Sequence, residues 1–443
     1  MAFDGQTRSR RDGVARAGLD IVRRHNLSTV LRRIHTGGQA SRSDLAAYTG
    51  LNRSTVGALV GDLVARDLVR ERPGTGGAPG RPSPVVESNP DGISVLALEV
   101  FADSLAAARI GIGGRVLARI RIDRPRQATS PESTVRTLAA IARQLLEPDD
   151  GGRSGPILAI GIAVAGVVRH GDGLVVVGPN LAWRDVPLAR LVASSLDLDA
   201  PVLVGNDADL AALAEHVRGA GVGSDDFICL WGEVGVGAGV IAGGRPLTGV
   251  SGFAGEVGHL PLNPTGVPCH CGSSGCWETE IGEDALLRQA GVLTPGGGRP
   301  AVDAVLDAAS RGDPLARQAL DSVGRWTGIG IAALANAFNP ERIALGGLFS
   351  IIDPFTRSAM ERAFAAHAMP ATRGVLEVVT ARLGIDGPLL GAAELALDHA
   401  LADPASVPYA NRSTWPTGES RSNEGKHEPK HEPKEVTLGT PPR

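Results

Sequence analysis

The most chemically distinctive residues of this sequence are three cysteines that lie within eight positions of one another. Cys269, Cys271 and Cys276 belong to a polar loop of sequence C-H-C-G-S-S-G-C, and His259 stands ten residues before the first of them. Three thiolates and one imidazole satisfy the tetrahedral coordination of Zn²⁺, and the glycines allow the loop to wrap around an ion. Because no coordination position stays open, this spacing predicts a structural zinc site.

Two alternatives compete with this interpretation of the cysteine loop. His270 is a rival fourth ligand, although the cysteines on either side of it restrict its direction. The three thiols could also be incidental, but cysteine in a polar loop gains nothing from burial. Since the whole chain has four cysteines, a disulfide scaffold is not expected, and the sequence favours a reducing, cytoplasmic compartment.

A second group of residues has the chemistry of DNA contacts. Residues 41–44 form a capping box that opens a short predicted helix, and Gly50 marks the turn into a second helix that begins near Asn52. Two helices joined by a glycine-containing turn are typical of the helix-turn-helix, whose second helix presents its first turn to the major groove. Asn, Arg and hydroxyl side chains can contact bases or phosphates there. The predicted DNA-binding residues of this turn are Asn52, Arg53, Ser54 and Thr55.

The charge distribution and the following segment support DNA binding. Residues 1–90 hold 14 Arg, no Lys and 8 Asp or Glu, a net charge of +6, whereas residues 91–443 carry −10. A predicted strand at 68–70 and a Gly/Pro-rich stretch at 72–82 are typical of a wing, from which Arg81 could reach a phosphate or the minor groove. The alternative is a helical hairpin that packs or dimerises, with Asn52 as an N-cap. We favour a winged helix-turn-helix over residues 1–88 and double-stranded DNA as its partner.

The remainder of the chain predicts a different architecture. Short apolar runs form a meander and are followed by helical segments and further apolar runs, and this succession occurs twice between residues 93 and 345. It predicts an α/β body of two similar lobes around a cleft over residues 89–402. Residues 403–443 are polar and repetitive, which predicts a disordered tail. The longest apolar stretch, 155–168, is too short to span a bilayer, so no membrane partner is expected.

Several motifs of the body resemble those of the ROK (repressor, ORF, kinase) family. The head, from residue 24 to residue 82, is also similar to the winged helix-turn-helix of ROK repressors. The resemblance implies an actin/hexokinase-like, that is ribonuclease-H-like, fold that binds a sugar between two lobes. The motifs are G-P-N-L-A-W at 178–183, N-D-A-D at 206–209, A-G-E-V-G-H at 254–259, the C-x-C-G-x-x-G-C-x-E run that ends at Glu278, and N-P-E-R-I-A-L-G-G at 339–347.

The resemblance also implies a set of sugar ligands. Carboxylates accept hydrogen bonds from hydroxyls, while amides and imidazoles complement them, so a mixed set can discriminate sugars. His259 would bind zinc with one ring nitrogen and the sugar or sugar phosphate effector with the other. Two alternatives stay open: Asn206 and Asp207 also suit a helix N-cap, and Glu278 suits the solvated first turn of a helix. The implied sugar-binding residues are Asn180, Asn206, Asp207, Glu256, His259 and Glu278.

ROK kinases use the residue that matches Asp207 as a catalytic base, so the phosphate-binding segments decide between kinase and sensor. The family's D-x-G-G-T turn corresponds here to residues 99–103, where Phe101 and Ala102 replace the glycines and Asp103 replaces a hydroxyl. In the second phosphate loop, Glu233 stands where glycine is usual. Carboxylates repel a nucleotide, so we expect no kinase activity, with Asp207 as a vestigial base.

Together these features predict a sugar-responsive DNA-binding transcriptional regulator, a repressor of carbohydrate-metabolism genes. Helix-turn-helix proteins usually read DNA as symmetric oligomers, so a homodimer or homotetramer is expected. Two alternatives stay open. One is a bifunctional ATP-dependent sugar kinase, and the other is a regulator controlled by a protein partner. Asp209 supports the second, because it stands where family members usually carry Asn.

Overall fold

The computed structural model describes residues 5–74, 84–126, 129–147, 155–292 and 297–410, with side chains from residue 20 onward. Its helices are α1 (Gly5–Gly37), α2 (Arg42–Thr49), α3 (Arg53–Ala65), α4 (Pro131–Gln144), α5 (Leu188–Leu196), α6 (Asp207–Arg218), α7 (Glu278–Ile281), α8 (Glu283–Gln289), α9 (Gly298–Ser310), α10 (Pro314–Phe338), α11 (Leu348–His367), α12 (Pro370–Arg373) and α13 (Gly387–Ala402). Its strands are β1 (Gln39–Ser41), β2 (Val69–Arg72), β3 (Val85–Ser88), β4 (Ser94–Val100), β5 (Ser104–Gly111), β6 (Arg115–Asp123), β7 (Ile157–Val164), β8 (Val167–Val168), β9 (Val175–Gly178), β10 (Trp183–Val186), β11 (Val202–Asn206), β12 (Phe227–Gly232), β13 (Val236–Ala242), β14 (Arg245–Pro246), β15 (Arg342–Gly347) and β16 (Glu377–Thr380).

The head consists of α1–α3 and a small sheet of order β1-β3-β2. The predicted capping box is confirmed: Asp44 N–H donates to Ser41 Oγ over 3.1 Å, and Ser41 N–H donates to the Asp44 carboxylate over 3.0 Å. Gly50 ends α2 with φ of +70°, the left-handed region that glycine enters without strain. The wing tip is predicted at 72–82, and residues 75–83, Arg81 among them, lie outside the described residues.

The body contains two five-stranded sheets with the same topology. In the first, β4, β5 and β6 form an antiparallel meander, and β7 and β11 extend the opposite edge in parallel, giving the order β11-β7-β4-β5-β6. The second repeats this pattern with the order β14-β13-β12-β15-β16. The prediction of two similar lobes, each with a meander and parallel crossovers, is confirmed.

Helix α6 lies between the two lobes, in contact with α13 on one side and with β12 and β13 on the other. Glycines permit this close approach: a Cβ added at Gly391 of α13 would lie 1.8 Å from the carbonyl oxygen of Leu210. A Cβ at Gly239 of β13 would lie 2.6 Å from the carbonyl oxygen of Ala208. The helix is therefore held by backbone contact with both neighbours.

The head and the first lobe share one hydrophobic cluster. Leu31 and Ile34 of α1 are fully buried in it, together with Val95 of the first sheet and Leu397 of α13. The head is therefore packed onto the body through the same apolar face of α1 that also contacts α3. Among the described residues, none of the helices has the length and apolarity needed to cross a bilayer.

The residues after α13 differ from the predicted disordered tail. Pro404–Ser406 forms a 3-10 turn, and Val407 is buried in the cluster shared by head and body. Arg66, at the end of α3, donates to the Ala405 carbonyl over 3.0 Å and stacks on the Tyr409 ring at 4.1 Å. An apolar and an aromatic side chain thus anchor a segment whose polar composition suggested disorder. Residues 411–443 lie outside the described residues.

Candidate functional site

A cavity of about 540 Å³ opens between the two lobes. The first lobe contributes the loop after β7 and the junction of β11 with α6, and the second contributes the segment from Glu256 to the start of α7. The structure brings all six predicted sugar-binding residues together in its lining: Asn180, Asn206, Asp207, Glu256, His259 and Glu278.

Asn206 shapes the cavity by capping α6. Its Oδ1 accepts hydrogen bonds from the backbone N–H groups of Ala208 (2.8 Å) and Asp209 (3.1 Å), and its Nδ2 donates to the Gly166 carbonyl over 3.0 Å. The N-cap considered for Asn206 is therefore present. This cap fixes the start of α6 against the loop after β7, and it holds the adjacent Asp207 in the cavity wall.

The carboxyl groups around the start of α6 are perturbed by burial. Burial raises the pKa of Asp207 to about 7, and the nearby charge of Glu256 adds to this rise. Burial and the same glutamate raise the pKa of Asp209 to about 8, while burial also raises the pKa of Glu256. These groups take up a proton readily, so each can exchange hydrogen bonds with a neutral hydroxyl.

The predicted metal ligands form a compact group. One ligand atom from each of His259, Cys269, Cys271 and Cys276 lies within 4.8 Å of all the others. Sγ of Cys271 is 3.6 Å from Sγ of Cys276, and Sγ of Cys269 is 3.7 Å from Nδ1 of His259. A tetrahedral zinc site with bonds of about 2.0–2.3 Å places its ligand atoms roughly 3.3–3.8 Å apart. The donor set and its spacing therefore fit a metal ion.

The backbone of the cysteine loop is folded to converge on this group. Cys269 N–H donates to the Ser273 carbonyl over 2.8 Å, which closes the loop on itself. Gly275 has φ of +70°, and a Cβ there would lie 1.7 Å from the Asn263 carbonyl oxygen. His270 is exposed and is not part of the group of four, which distinguishes it from His259.

His259 connects the metal cluster to the cavity. Its Nδ1 faces Cys269 and lies 3.5 Å from Oε1 of Glu278, whereas its Nε2 lies 3.9 Å from Oε2 of Glu256. Sγ of Cys269 is also 2.8 Å from Oε1 of Glu278. The two ring nitrogens thus face different surroundings, one toward the thiols and the other toward a cavity carboxyl group.

Ion pairs lie at the segment that corresponds to the phosphate-binding turn of the kinases. Phe101 and Ala102 are buried, and Asp103 pairs with Arg126 at 2.8 Å. Arg126 also lies 2.5 Å from Glu283 of the second lobe. Sequence reasoning missed Arg126, whose role depends on a glutamate 157 positions away.

Two further glutamates lie near this region. Glu99 is fully buried and pairs with Arg121 at 2.5 Å, and burial still raises its pKa to about 7. Burial, followed by the charge of Asp103, raises the pKa of Glu233 to about 8. The cleft floor is therefore rich in carboxyl groups beside the position of Asp207. Arg121 is also a residue that sequence reasoning missed, although its place in an alternating Arg115–Asp123 strand was visible.

In the head, the predicted DNA-contacting turn is at the exposed start of α3. Asn52 is the N-cap of α3: its Oδ1 accepts hydrogen bonds from Thr55 N–H over 2.8 Å and from the Ser54 hydroxyl over 2.7 Å. Arg53 is exposed and, within the described part of the chain, makes no hydrogen bond or ion pair. Other described arginines of the head have partners: Arg23 with Asp62, Arg24 with Asp403, Arg32 with Asp398, Arg33 with Tyr48, Arg42 with Glu71, Arg66 with Asp62, and Arg70 and Arg72 with Glu87.

Comparison with known proteins decides the family. Residues 95–399 match the sequence profile of the ROK family, and residues 28–77 match that of the MarR family. This chain belongs to the ROK family. Its head is a winged helix-turn-helix of the MarR type, and the predicted actin/hexokinase-like fold is confirmed.

Relatives of this ROK protein include both regulators and kinases. It is 29% identical to the xylose repressor of Bacillus subtilis, over 86% of this chain and 97% of the repressor. It is 32% identical to a glucokinase of Streptomyces coelicolor, over 68% of this chain and 96% of the kinase. The crystal structure of a ROK family transcriptional regulator, a homologue of the E. coli MLC protein, matches with a TM-score of 0.69 at 27% identity, covering 86% of this chain and 97% of that chain. The family match, the DNA-binding head and the similarity to repressors confirm the prediction of a sugar-responsive transcriptional repressor.

Proposed function

We propose that this ROK protein binds operator DNA through the first turn of α3 and a neutral sugar in the cavity between its lobes. The observation that carries the proposal is the joint presence of both sites in one chain. A polar cavity holds six hydrogen-bonding side chains of the sugar-binding set, and an exposed arginine without a partner in the described residues stands at the start of α3. Since winged helix-turn-helix proteins read inverted repeats as symmetric oligomers, the active form is a homodimer or homotetramer.

The carboxyl groups near Asp207 favour an uncharged sugar over a sugar phosphate at that end of the cavity, whose lining also includes Arg184 and Arg288. Asp207, Glu256 and Glu278 line it, and Glu233 lies beside the end where the kinases hold their nucleotide. A phosphate brought toward Asp207 would disfavour the ionised form of these carboxyl groups, and burial weakens the screening of like charges by water. Neutral hydroxyls, in contrast, can both donate to and accept from them.

We propose zinc as the ion of the His259 cluster. Three cysteines and one histidine are ligands that zinc binds in closed structural sites, and such a set leaves no position for a reacting water. The ion would hold the cysteine loop closed and fix His259 with its Nε2 directed at the cavity. Its role would therefore be to position a sugar ligand.

The first prediction concerns this metal. Protein purified without chelator is expected to contain about one zinc per chain, as measured by elemental analysis. Cys269→Ser should release the metal and lower the melting temperature, because the loop loses a ligand. Cys229→Ala, which changes a cysteine buried elsewhere, is the control and should retain the zinc. Zinc-free wild-type protein would contradict the proposal.

We also propose that this chain does not act as a sugar kinase. Transfer of a phosphoryl group depends on positioning and neutralising the phosphates. Here the buried Phe101 and Ala102 replace a glycine turn, and the ion pairs of Arg126 with Asp103 and Glu283 join the two lobes at the same place. The relatives do not decide whether this chain is a kinase, because regulators and glucokinases both match it.

The second prediction concerns kinase activity. Nucleotide turnover in the presence of ATP, Mg²⁺ and D-glucose or D-xylose is expected to stay far below the usual range for kinases, roughly 1–100 per second. A coupled assay of ADP release measures it. Turnover inside that range would overturn the proposal and would favour a bifunctional kinase.

The third prediction concerns DNA. Selection from random duplexes is expected to return an inverted repeat whose half-sites are spaced by whole helical turns of about 10–10.5 base pairs. Arg53→Ala should weaken binding to this operator by about 1–3 kcal/mol, because a base contact is lost, while non-specific binding changes little. Arg24→Ala removes the same charge from a residue paired with Asp403 and should leave specificity intact. Equal loss for operator and random DNA would assign Arg53 to a phosphate.

The fourth prediction tests the cavity. D-Xylose, D-glucose and D-glucose 6-phosphate are compared by thermal shift and by their effect on operator affinity, since a ligand of the folded state raises its stability. A free sugar should act and the phosphate should not. Asp207→Ala and Glu256→Ala should keep operator binding and abolish the sugar effect. Wild-type sugar responses in both variants would place the sensor elsewhere, and no response to any sugar would favour control by a protein partner.

A further inference from the structure

A buried polar cluster joins the DNA-binding head to the body far from the cavity. His35 in the last turn of α1 is 2% exposed, and its Nε2 lies 2.8 Å from Oε2 of Glu394 in α13. Arg218, the last residue of α6, lies 2.6 Å from Oε1 of the same glutamate and donates to the Gly113 carbonyl over 2.8 Å. Three side chains from three helices thus meet at one carboxylate.

The hydrogen bonds of this cluster define the state of its members. Gly113 N–H donates to Nδ1 of His35 over 2.9 Å, so Nδ1 is an acceptor and the ring proton resides on Nε2, directed at Glu394. Arg218 also contacts α1 directly, because its Nη1 donates to the His35 carbonyl oxygen over 3.3 Å. Burial opposes ionisation of Glu394, but its bonds to His35 and Arg218 outweigh burial and keep its pKa below the ordinary value. The carboxylate is therefore charged and fully engaged.

Helix α6 connects this cluster to the cavity. Its first residue, Asp207, lines the cavity, and its last, Arg218, holds the cluster, with twelve residues between and including them. An α-helix of that length spans about 18 Å, at a rise of 1.5 Å per residue. Since a helix is stiff along its axis, a displacement at the cavity end reaches the cluster end.

The packing of α6 restricts the movements it can make. Backbone contacts at Gly391 and Gly239 hold it between α13 and β13, which oppose sideways displacement. Glu394 belongs to α13, which packs on β4 and β7 of the first lobe, whereas Arg218 belongs to α6, which also contacts β12 and β13 of the second lobe. His35 belongs to α1, whose Leu31 and Ile34 lie in the cluster that also buries Leu63 of α3.

We propose that α6 and the contact of Arg218 and Glu394 with His35 transmit sugar binding at the cavity to the DNA-binding head. The inference rests on the proposed function, because it requires that a sugar in the cavity alters operator affinity. A sugar that draws the lobes together shifts α6 relative to α13, which changes the hydrogen bonds that Arg218 and Glu394 make to α1. The orientation of α3 on DNA then changes with α1. The contact is thus an element with two arrangements that both ligands bias.

The experiment measures the coupling factor, which is the ratio of operator dissociation constants with and without a saturating sugar. The probe is whichever of D-xylose or D-glucose raises the melting temperature of the wild type. Arg218→Gln and Glu394→Gln remove one charge each from the cluster. Arg32→Gln is the matched control, because it removes the exposed ion pair between Arg32 and Asp398 that joins the same α1 and α13.

Both cluster variants are expected to bind the sugar and, without sugar, the operator, while the coupling factor falls to within about twofold of one. Wild-type couplings of this kind are usually about 5–150-fold, so the loss is measurable. The control should keep the wild-type factor. Retention of the wild-type factor in Glu394→Gln, which preserves side-chain shape, would overturn the inference, as would equal loss in the control.

A measurement on the wild type covers the case in which a cluster variant does not fold. Sugar should change amide hydrogen exchange at residues 34–37 and 111–114, which surround His35 and Gly113. Unchanged exchange there, together with a sugar-dependent operator affinity, would also overturn the inference. Failure of the proposed function has a different signature: no sugar would alter the melting temperature or the operator affinity of the wild type.

Discussion

The arrangement of this molecule depends on the close packing of α6 between its two lobes. Two glycines, Gly391 and Gly239, allow backbone contact on opposite sides of the helix, and any larger side chain at either position would push the lobes apart. The cap at Asn206 fixes the start of the helix and thereby the position of Asp207. The cavity, the cleft and the contact with the head all involve this one helix, so its position sets the geometry of each.

Relatives of this body include both regulators and kinases. The side chains that resemble the family's sugar ligands line the cavity, and the neighbouring segment holds ion pairs among the protein's own charges. Arg126 pairs with carboxylates of both lobes beside the segment that corresponds to the phosphate-binding turn of the kinases. The charge of Arg126 is thus neutralised by carboxylates of the chain itself. This agrees with the proposal that the chain does not act as a sugar kinase.

Local patterns made much of this fold predictable from the sequence. The helix at 314–338, the strand at 157–164 and the caps at Ser41 and Asn52 depend on neighbours a few positions away. The metal ligands lie within eighteen residues, so their grouping was visible as well. The cluster around His35 was not, because Arg218 and Glu394 lie 183 and 359 positions from it, and long-range pairs leave no periodic signal.

The packing of the last described residues against the head bears on the order in which the chain folds during synthesis. Val407 and the carbonyl of Ala405 complete the surroundings of α1 and α3, and Ser28 donates to the Leu401 carbonyl over 2.6 Å. The ribosome synthesises the head before these partners, which lie 339 residues (Arg66 to Ala405) and 373 residues (Ser28 to Leu401) further along the chain. Domains usually fold in the order of their synthesis. Here the head also packs on residues 401–407, so a chain cut before them would lack these contacts to α1 and α3.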